Sequence, residues 1–487
     1  MPIPRYTNVQ WLLICVAVYS SALLYGLDTT IVAVLQGPII SRFDDIDKLG
    51  WLGIGFPLGS IAMIAAWSKA YGVFDTKWMY IGSLVHFAAG SSFCGAAPNM
   101  NSLIVGRLNI WTHNTSLEKR SWYISGGGVT WSLGRIIGPL IGGAFADSSA
   151  TWRWAFYLNL VLFGVFTPVY FLVLNSHVPQ PGILLITRLK EFDWLGITLN
   201  TEMYTAFVIS FAIGGTLWPW SDGRTIGIIV AFAVTPVAFI IQQKFTILTT
   251  EEHRIFPVRF LAKRSFILLY IAQSSLPTAL ANLLWAPPGF LLPKYGLYMT
   301  WYMGSGVLNV IGGALFFGLL TPQTSVGAIY GFSILLALGT GLAQQIAYSI
   351  ASARAPEQLS DAMGFINSAQ VGSVVLALTF TSLIFQNVGH HNVKQALVLQ
   401  HVDNADIRAA LGGAQGRLFD QGFASEQVQL EFEAGIVDAL RWSFVTVLIA
   451  GVLETIAALC MKRERLFVQD EAKKEQSAKE KSVEVKE

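Results

Sequence analysis

Twelve apolar runs, each about as long as a bilayer is thick, limit what this chain can fold into. They fall at residues 10–35, 50–68, 78–97, 122–146, 152–174, 194–216, 225–243, 265–292, 299–320, 326–348, 364–386 and 437–460. A helix needs about 20 residues to cross about 30 Å of hydrocarbon. It also satisfies its own backbone hydrogen bonds there, which an open strand cannot do. No run alternates with period 2, so a membrane barrel is disfavoured. Composition agrees: 53% of the 487 residues are hydrophobic and 13% are charged, against about 25% charged in a soluble domain. The chain reads as an all-α membrane protein. A water-soluble enzyme, a nucleic-acid binder and a disordered chain do not fit this pattern.

Loop charge gives the orientation. Lys and Arg gather in alternate loops: Arg5, then Lys69 and Lys77, Lys119 and Arg120, Arg188 and Lys190, Arg259, Lys263 and Arg264, Arg354, and Lys462 and Arg463. That side is read as cytoplasmic, and both termini lie on it. The opposite loops, such as 97–101 and 321–326, hold no Lys or Arg. Residues 462–487 carry 8 of the 32 Lys+Arg and 7 of the 30 Asp+Glu, and read as a solvated cytoplasmic tail. Net charge is +2, which offers little attraction to a polyanion.

Counting crossings against these charges exposes two short places. One crossing is required between Pro98 and Lys119, yet the only apolar run is 102–111. Ten residues reach about 15 Å as a helix. Two crossings are required between Arg264 and Lys294, in a stretch that contains Pro277, Pro287 and Pro288. A shortened helix near 101–112 and a truncated or re-entrant segment near 280–294 are therefore expected.

Few residues in these runs can carry chemistry. Asp28 sits mid-run in Leu27-Asp28-Thr29-Thr30-Ile31-Val32. A carboxylate at that depth is costly and faces a partner or a watered cavity. It is either a bundle-stabilising acid or a group that handles a proton or substrate. Arg107 is the one charge in 102–111. It either pairs with an intramembrane carboxylate or snorkels to an interface. Glu202 and Glu454 are further acids within the runs, expected at helix interfaces, with Glu202 also a candidate for the proton or substrate pathway. Gln370, with Asn309, Asn367, Gln344, Asn282 and Gln345, could line a cavity.

Gly134, Gly138 and Gly142 recur every four residues, a flat strip for close helix packing. Pro139 bends that helix, and Gly143 extends the strip. Lys69, Asp75 and Lys77 occupy a tight loop that either clips helices together or only sets topology. Residues 71–79 and 295–303 share four of nine identities, a sign of two related halves. Cys15, Cys94 and Cys460 lack any ligand spacing. The zincin, nucleophile-elbow and phosphate-loop motifs are missing. Neither enzyme activity, a metal, a cofactor nor direct use of ATP is expected; an ion gradient is the natural driver.

Several of these segments together resemble the 14-span drug:proton antiporter branch of the major facilitator superfamily, especially fungal toxin and multidrug efflux pumps. They are 27–33, 95–101 with 104–107, 134–143, 152–159, and 361–366 with 369–372. The resemblance implies two six-helix bundles with two extra helices between them, about 12–13 spans of an expected 14. It divides the chain into an N-terminal bundle (1–174), a linker with the extra helices (175–263), a C-terminal bundle (264–461) with an extracellular loop at 387–436, and the tail (462–487). An amphipathic small molecule would bind between the bundles and leave the cell in exchange for protons. Asp28 and Arg107 would be proton-linked or cavity residues. Gly134, Gly138, Pro139, Gly142 and Gly143 would be the antiporter strip, and Lys69, Asp75 and Lys77 the inner gating loop.

A monomer in the plasma membrane is expected, the vacuolar membrane being the alternative. A proton-coupled importer, for instance of iron–siderophore complexes, and a transport-dead paralogue are the rival readings. Three departures bear on them. Gly72 stands where the gating loop normally carries an acid, Arg135 interrupts the glycine strip, and about a dozen family residues are missing after Arg107.

Overall fold

Apolar length becomes helix wherever the chain is described. The computed structural model describes residues 7–43, 48–109, 121–178, 185–190, 192–213, 218–275, 297–344, 346–397 and 426–463, with Asp45, Gly182, Ile407 and Leu411. In chain order the helices are α1 (Asn8–Phe43), α2 (Leu49–Val73), α3 (Thr76–Ala96), α4 (Met100–Asn109), α5 (Ser121–Ala146) and α6 (Trp154–Pro168), which runs on as a π turn over Val169–Val173. Then follow α7 (Leu185–Lys190), α8 (Trp194–Ile213), α9 (Gly223–Phe245) and α10 (Arg264–Ser274). The last group is α11 (Tyr298–Leu319), α12 (Val326–Ala343), α13 (Ile346–Arg354), α14 (Leu359–Ala396), α15 (Glu426–Ser443) and α16 (Val445–Leu459). Among the described residues, nine helical stretches are long and apolar enough to cross a membrane.

Helix starts follow local chemistry. The Asp75 carboxylate accepts from the Lys77 amide at 2.9 Å and opens α3. Asp222 does the same for α9 through Arg224 N at 2.8 Å. A side-chain acceptor there satisfies an amide that the helix leaves open. Hydrogen bonds from Arg224 also draw the Asp222 carboxyl down to about 2, so that cap stays ionised.

Packing places the helices in two groups joined by α8 and α9. In the first, α1 lies along α5, α3 packs on α6, and α4 wedges between α2 and α3. In the second, α11 packs on α12 and α16, and α14 packs on α10 and α15. Contact between the groups runs mainly through α2 and α14, with α8 against both. The α1–α5 seam depends on the glycine strip. A Cβ on Gly134 would collide with the Leu23 carbonyl of α1, and one on Gly138 with the Thr30 hydroxyl. One on Gly142 would lie 2.9 Å from Ile31 Cγ1. Arg135 points off this strip, with its guanidinium 5.1 Å from the Trp131 ring, while its carbonyl accepts from Thr30 Oγ1 at 3.0 Å.

The loops expected on the cytoplasmic side place several basic side chains against helix ends, which marks that end as the basic one. Lys77 Nζ donates to Phe171 O at 2.7 Å, Arg188 to Val73 O at 2.9 Å, and Arg264 to Cys460 O at 3.1 Å. Each of these carbonyls lies at or near the C-terminal end of a helix, where the helix dipole favours a cation.

Some boundaries differ from expectation. The segment expected as the start of an extracellular loop, 387–436, begins as helix: α14 runs 38 residues, about 57 Å. The cause is burial outside the spanning region. Val393 and Leu397 pack with Ile407, Leu411 and Phe432 in a separate apolar cluster. The run at 326–348 is divided into α12 and α13 and extends to Arg354. The short helix expected near 101–112 falls on α4, which is described over Met100–Asn109. Residues 110–120 and 276–296, which hold Asn282 and most of the second short place, lie outside the described residues, as do Gln345, Arg5 and the tail beyond Arg463.

The glycine strip yields a direct test. Gly134→Val should destabilise the protein by about 1–3 kcal/mol, as overpacking does. Gly143→Ala should be near neutral, because its Cβ would meet nothing closer than 3.8 Å. Thermal melts of detergent-solubilised protein would compare the two, and equal losses would contradict the packing described.

Candidate functional site

The middle of α1 carries a carboxylate that the surrounding helices enclose completely. Asp28 is 0% exposed and Arg107, on α4, is 1% exposed. Arg107 Nη1 lies 2.5 Å from Asp28 Oδ2. The guanidinium also reaches the Asp28 carbonyl at 3.4 Å, and its Nε donates to Leu52 O on α2 at 3.3 Å. Its Cζ sits 5.1 Å from the centre of the Phe56 ring. The second carboxylate oxygen accepts from Asn159 Nδ2 on α6 at 3.3 Å, and that amide nitrogen lies 3.0 Å from Ser91 Oγ on α3. Five helices thus meet around one pair of opposite charges. Such a pair is sound only while both partners and their hydrogen bonds remain.

Helix α4 delivers Arg107 to this position because its neighbours are small. A Cβ on Gly59 would collide with the Leu108 carbonyl, and one on Gly106 would lie 2.7 Å from Cys94 Sγ. Backbones therefore approach closely where Arg107 enters.

One turn before Asp28, Tyr25 links the pair to the seam between the helix groups. Its ring lies 5.1 Å from Phe56 and 6.2 Å from Trp131, and Ser60, Arg135 and Asp28 are polar neighbours of its hydroxyl. From the other group, Tyr348 on α13 comes near enough to interact electrostatically with Tyr25. The Tyr348 hydroxyl lies 2.5 Å from Asn367 Oδ1 and also contacts Gln370 Oε1, both on α14. The seam is thus aromatic with several hydrogen-bonding groups, a lining that suits a ligand with an apolar body and a few polar atoms.

At the basic end, the two groups are joined by charge. Asp361, at the start of α14, is 3.2 Å from Lys69 Nζ on α2 and also receives Arg259. Close approach reinforces this, since a Cβ on Gly364 would lie 2.7 Å from the Ser68 side chain.

The residues singled out in the sequence are distributed as follows. Asp28 and Arg107 come together, Gln370 joins Tyr348, and the glycine strip lies against α1. Of the loop residues, Lys69 alone reaches the second helix group. Asp75 accepts from Ser176 and the His177 amide, and Lys77 bonds Phe171 O, all within the first group. Glu202 is exposed on α8. It is not brought to the site, because α8 turns its buried side, through Asn200 and Thr201, to the α2 carbonyl of Ala62. Glu454 is fully buried between α16 and α11, where Asn309 Nδ2 donates to it at 3.1 Å. Ser91, Asn159, Asp361 and Arg259 carry contacts the sequence reading did not assign.

Membrane-crossing helices in two groups, with a buried charge pair on one side of a polar seam, define a membrane transport protein rather than an enzyme. The profile of the Major Facilitator Superfamily matches residues 18–378, and the chain belongs to that superfamily. It is 38% identical over 501 residues to "Efflux pump patC" of Aspergillus clavatus, covering 93% of this chain and 90% of the relative. It is 35% identical over 515 residues to "Efflux pump alnA" of Emericella nidulans, covering 95% and 92%. Among solved structures, a bacterial homolog to the human lysosomal transporter Spinster overlays with a TM-score of 0.48 at 13% identity, covering 96% of this chain and 99% of that one.

The charge pair makes its own prediction. Arg107→Ala leaves Asp28 buried without its cation and should cost about 3–5 kcal/mol. The neutral double variant Asp28→Asn/Arg107→Gln should recover more than half of that loss. Thermal melts of the single and double variants in detergent would show it; additive losses would contradict a mutually dependent pair.

Proposed function

We propose that this transporter exports amphipathic small molecules, such as drugs, toxins or secondary metabolites, and that protons entering in exchange drive the export. The observation that carries this reading is the enclosed Asp28–Arg107 pair, one helical turn from Tyr25 at the seam. With Asp28 ionised, the pair clamps α1 to α4. A proton bound to the Asp28 carboxylate removes the charge that holds Arg107 and loosens that clamp. The resulting shift between α1 and α4 reaches, through Tyr25, the seam where substrate binds. The proton then leaves on the opposite side, and the pair re-forms.

In this reading residues 1–174 and 264–461 rock against each other as two bundles, and 175–263 links them. Lys69 and Arg259 on Asp361 close the cytoplasmic end, and exchange of that latch for an opening accompanies each cycle. The cluster of basic residues at this end supports placing it, and both termini, in the cytoplasm. The plasma membrane suits efflux from the cell. The relatives' names as efflux pumps and the glycine strip favour export over import. A transport-dead chain is disfavoured because α4 still brings Arg107 to Asp28.

The test expresses the protein in a strain lacking its own efflux pumps and measures rhodamine 6G accumulation with and without a proton uncoupler. Accumulation should fall when the protein is present, and the uncoupler should restore it. Asp28→Asn, at equal membrane abundance, should lose the uncoupler-sensitive component. Full efflux by that variant would remove Asp28 from the mechanism, and unchanged dye in all strains would favour the transport-dead reading.

A further inference from the structure

Asp193, just before α8, is completely buried and takes no part in the pair or the seam. Its carboxylate instead gathers four N–H donors from three segments. Oδ1 accepts from Gly196 N at 2.9 Å, inside α8, and from Gln242 Nε2 at 2.9 Å, near the end of α9. Oδ2 accepts from Gln243 Nε2 at 2.7 Å and from Ile255 N at 3.2 Å. Ile255 belongs to the strap that follows α9. The knot is doubled there, since Phe256 N donates to Gln243 Oε1 at 3.0 Å and Arg254 Nη1 to Gln243 O at 3.3 Å.

The strap then leaves the extra helices and enters the second group. Phe256 has its ring 6.3 Å from Phe239 of α9 and 5.5 Å from Phe365 of α14. A short 3₁₀ turn, Val258–Phe260, follows. Phe260 stacks on Phe266 of α10 at 4.5 Å, and between these aromatic anchors Arg259 reaches Asp361. Arg259 follows Phe256 by three positions, a reach of at most about 10 Å. Displacement of the strap at Ile255–Phe256 must therefore move Arg259. Meanwhile α8 is fastened to α2 by Asn200 and Thr201, which both donate to Ala62 O at 3.2 Å. The same pair of extra helices holds α2 with one side and the strap with the other.

We propose that Asp193 is a positioning residue of the cytoplasmic latch: by tying the strap to α8 and α9 it holds Arg259 over Asp361. The inference rests on the latch reading above and assigns the extra helix pair a part in closing that end. Loss of the knot leaves Lys69–Asp361 in place but frees Arg259, so the latch keeps one of its two cations.

Cysteine crosslinking tests this in the full-length protein, with Cys15, Cys94 and Cys460 replaced by serine. With a bismaleimide long enough to replace the lost Arg and Lys side chains, Arg259→Cys with Asp361→Cys should crosslink readily, and so should Lys69→Cys with Asp361→Cys. Asp193→Ser keeps an oxygen for the Gly196 amide but is too short for Gln243 and the strap. Gln243→Ala leaves that cap intact and serves if Asp193→Ser does not fold. Either variant should slow the 259–361 crosslink about tenfold, a coupling typical within one hydrogen-bond network, and leave the 69–361 rate unchanged. An unchanged 259–361 rate, or an equal slowing of both crosslinks, overturns the proposal. A separate arm measures rhodamine 6G efflux in Asp361→Asn. Unaltered efflux there sinks the latch itself, whatever the crosslinks show.

Discussion

Burying a charge in the middle of a hydrocarbon-spanning helix is the constraint around which the first helix group is organised. Asp28 cannot be solvated where it lies, so its partner must come to it, and that partner must itself be held. Arg107 is held by the Leu52 carbonyl, by the Asp28 carbonyl and by the face of Phe56. Asn159 and Ser91 complete the shell from α6 and α3. Because each member comes from a different helix, the pair reports the arrangement of five helices at once. That is what makes it a lever: altering one charge alters the terms on which all five pack.

A smaller polar contact at the corresponding place in the second group fits two related halves. There α11 and α16 meet through Asn309 and Glu454, as α3 and α6 meet through Ser91 and Asn159. The segments with four shared identities, 71–79 and 295–303, lead into α3 and α11. The halves are not equal, because among the described residues the second has no fully buried Arg–carboxylate pair like Arg107–Asp28; its Arg441–Asp438 pair is partly exposed. The linkage between halves is also uneven. At the basic end it is ionic and tight, with Lys69 and Arg259 on Asp361, while the middle of the seam offers rings and hydroxyls. That difference fits one end serving as a closure and the middle as a binding region.

Much of this was legible before any coordinates. Run length gave the helices, and glycine spacing at 134, 138 and 142 gave a strip for close helix packing, though not that α1 fills it, because packing without side chains depends on sequence interval alone. Crossing parity marked the stretch where α4 begins, and the residues after Asn109 lie outside the described ones. The pairing of Asp28 with Arg107 was open as one of two readings, since sequence shows that a buried charge needs a partner but not which one arrives. Glu202 was misleading for a related reason: a run that is apolar on average does not reveal which face meets lipid, and Asn200 and Thr201 take the inner one. Asn159, Asp361 and Asp193 were hidden because their contacts join residues 131, 292 and up to 62 positions apart. The helical continuation past 386 was missed because its apolar residues are sparse and find their partners at Ile407, Leu411 and Phe432.

Purified protein in liposomes provides the most direct measurement of the central claim, that protonation of Asp28 is coupled to movement of substrate. With an acidic exterior imposed and rhodamine 6G equal on both sides, vesicles of either orientation should move dye outward, opposite to the protons and against the gradient this builds; collapse of the pH difference should stop it, and Asp28→Asn protein should show no such movement. Dye that redistributes at the same rate with and without the pH difference would contradict the account.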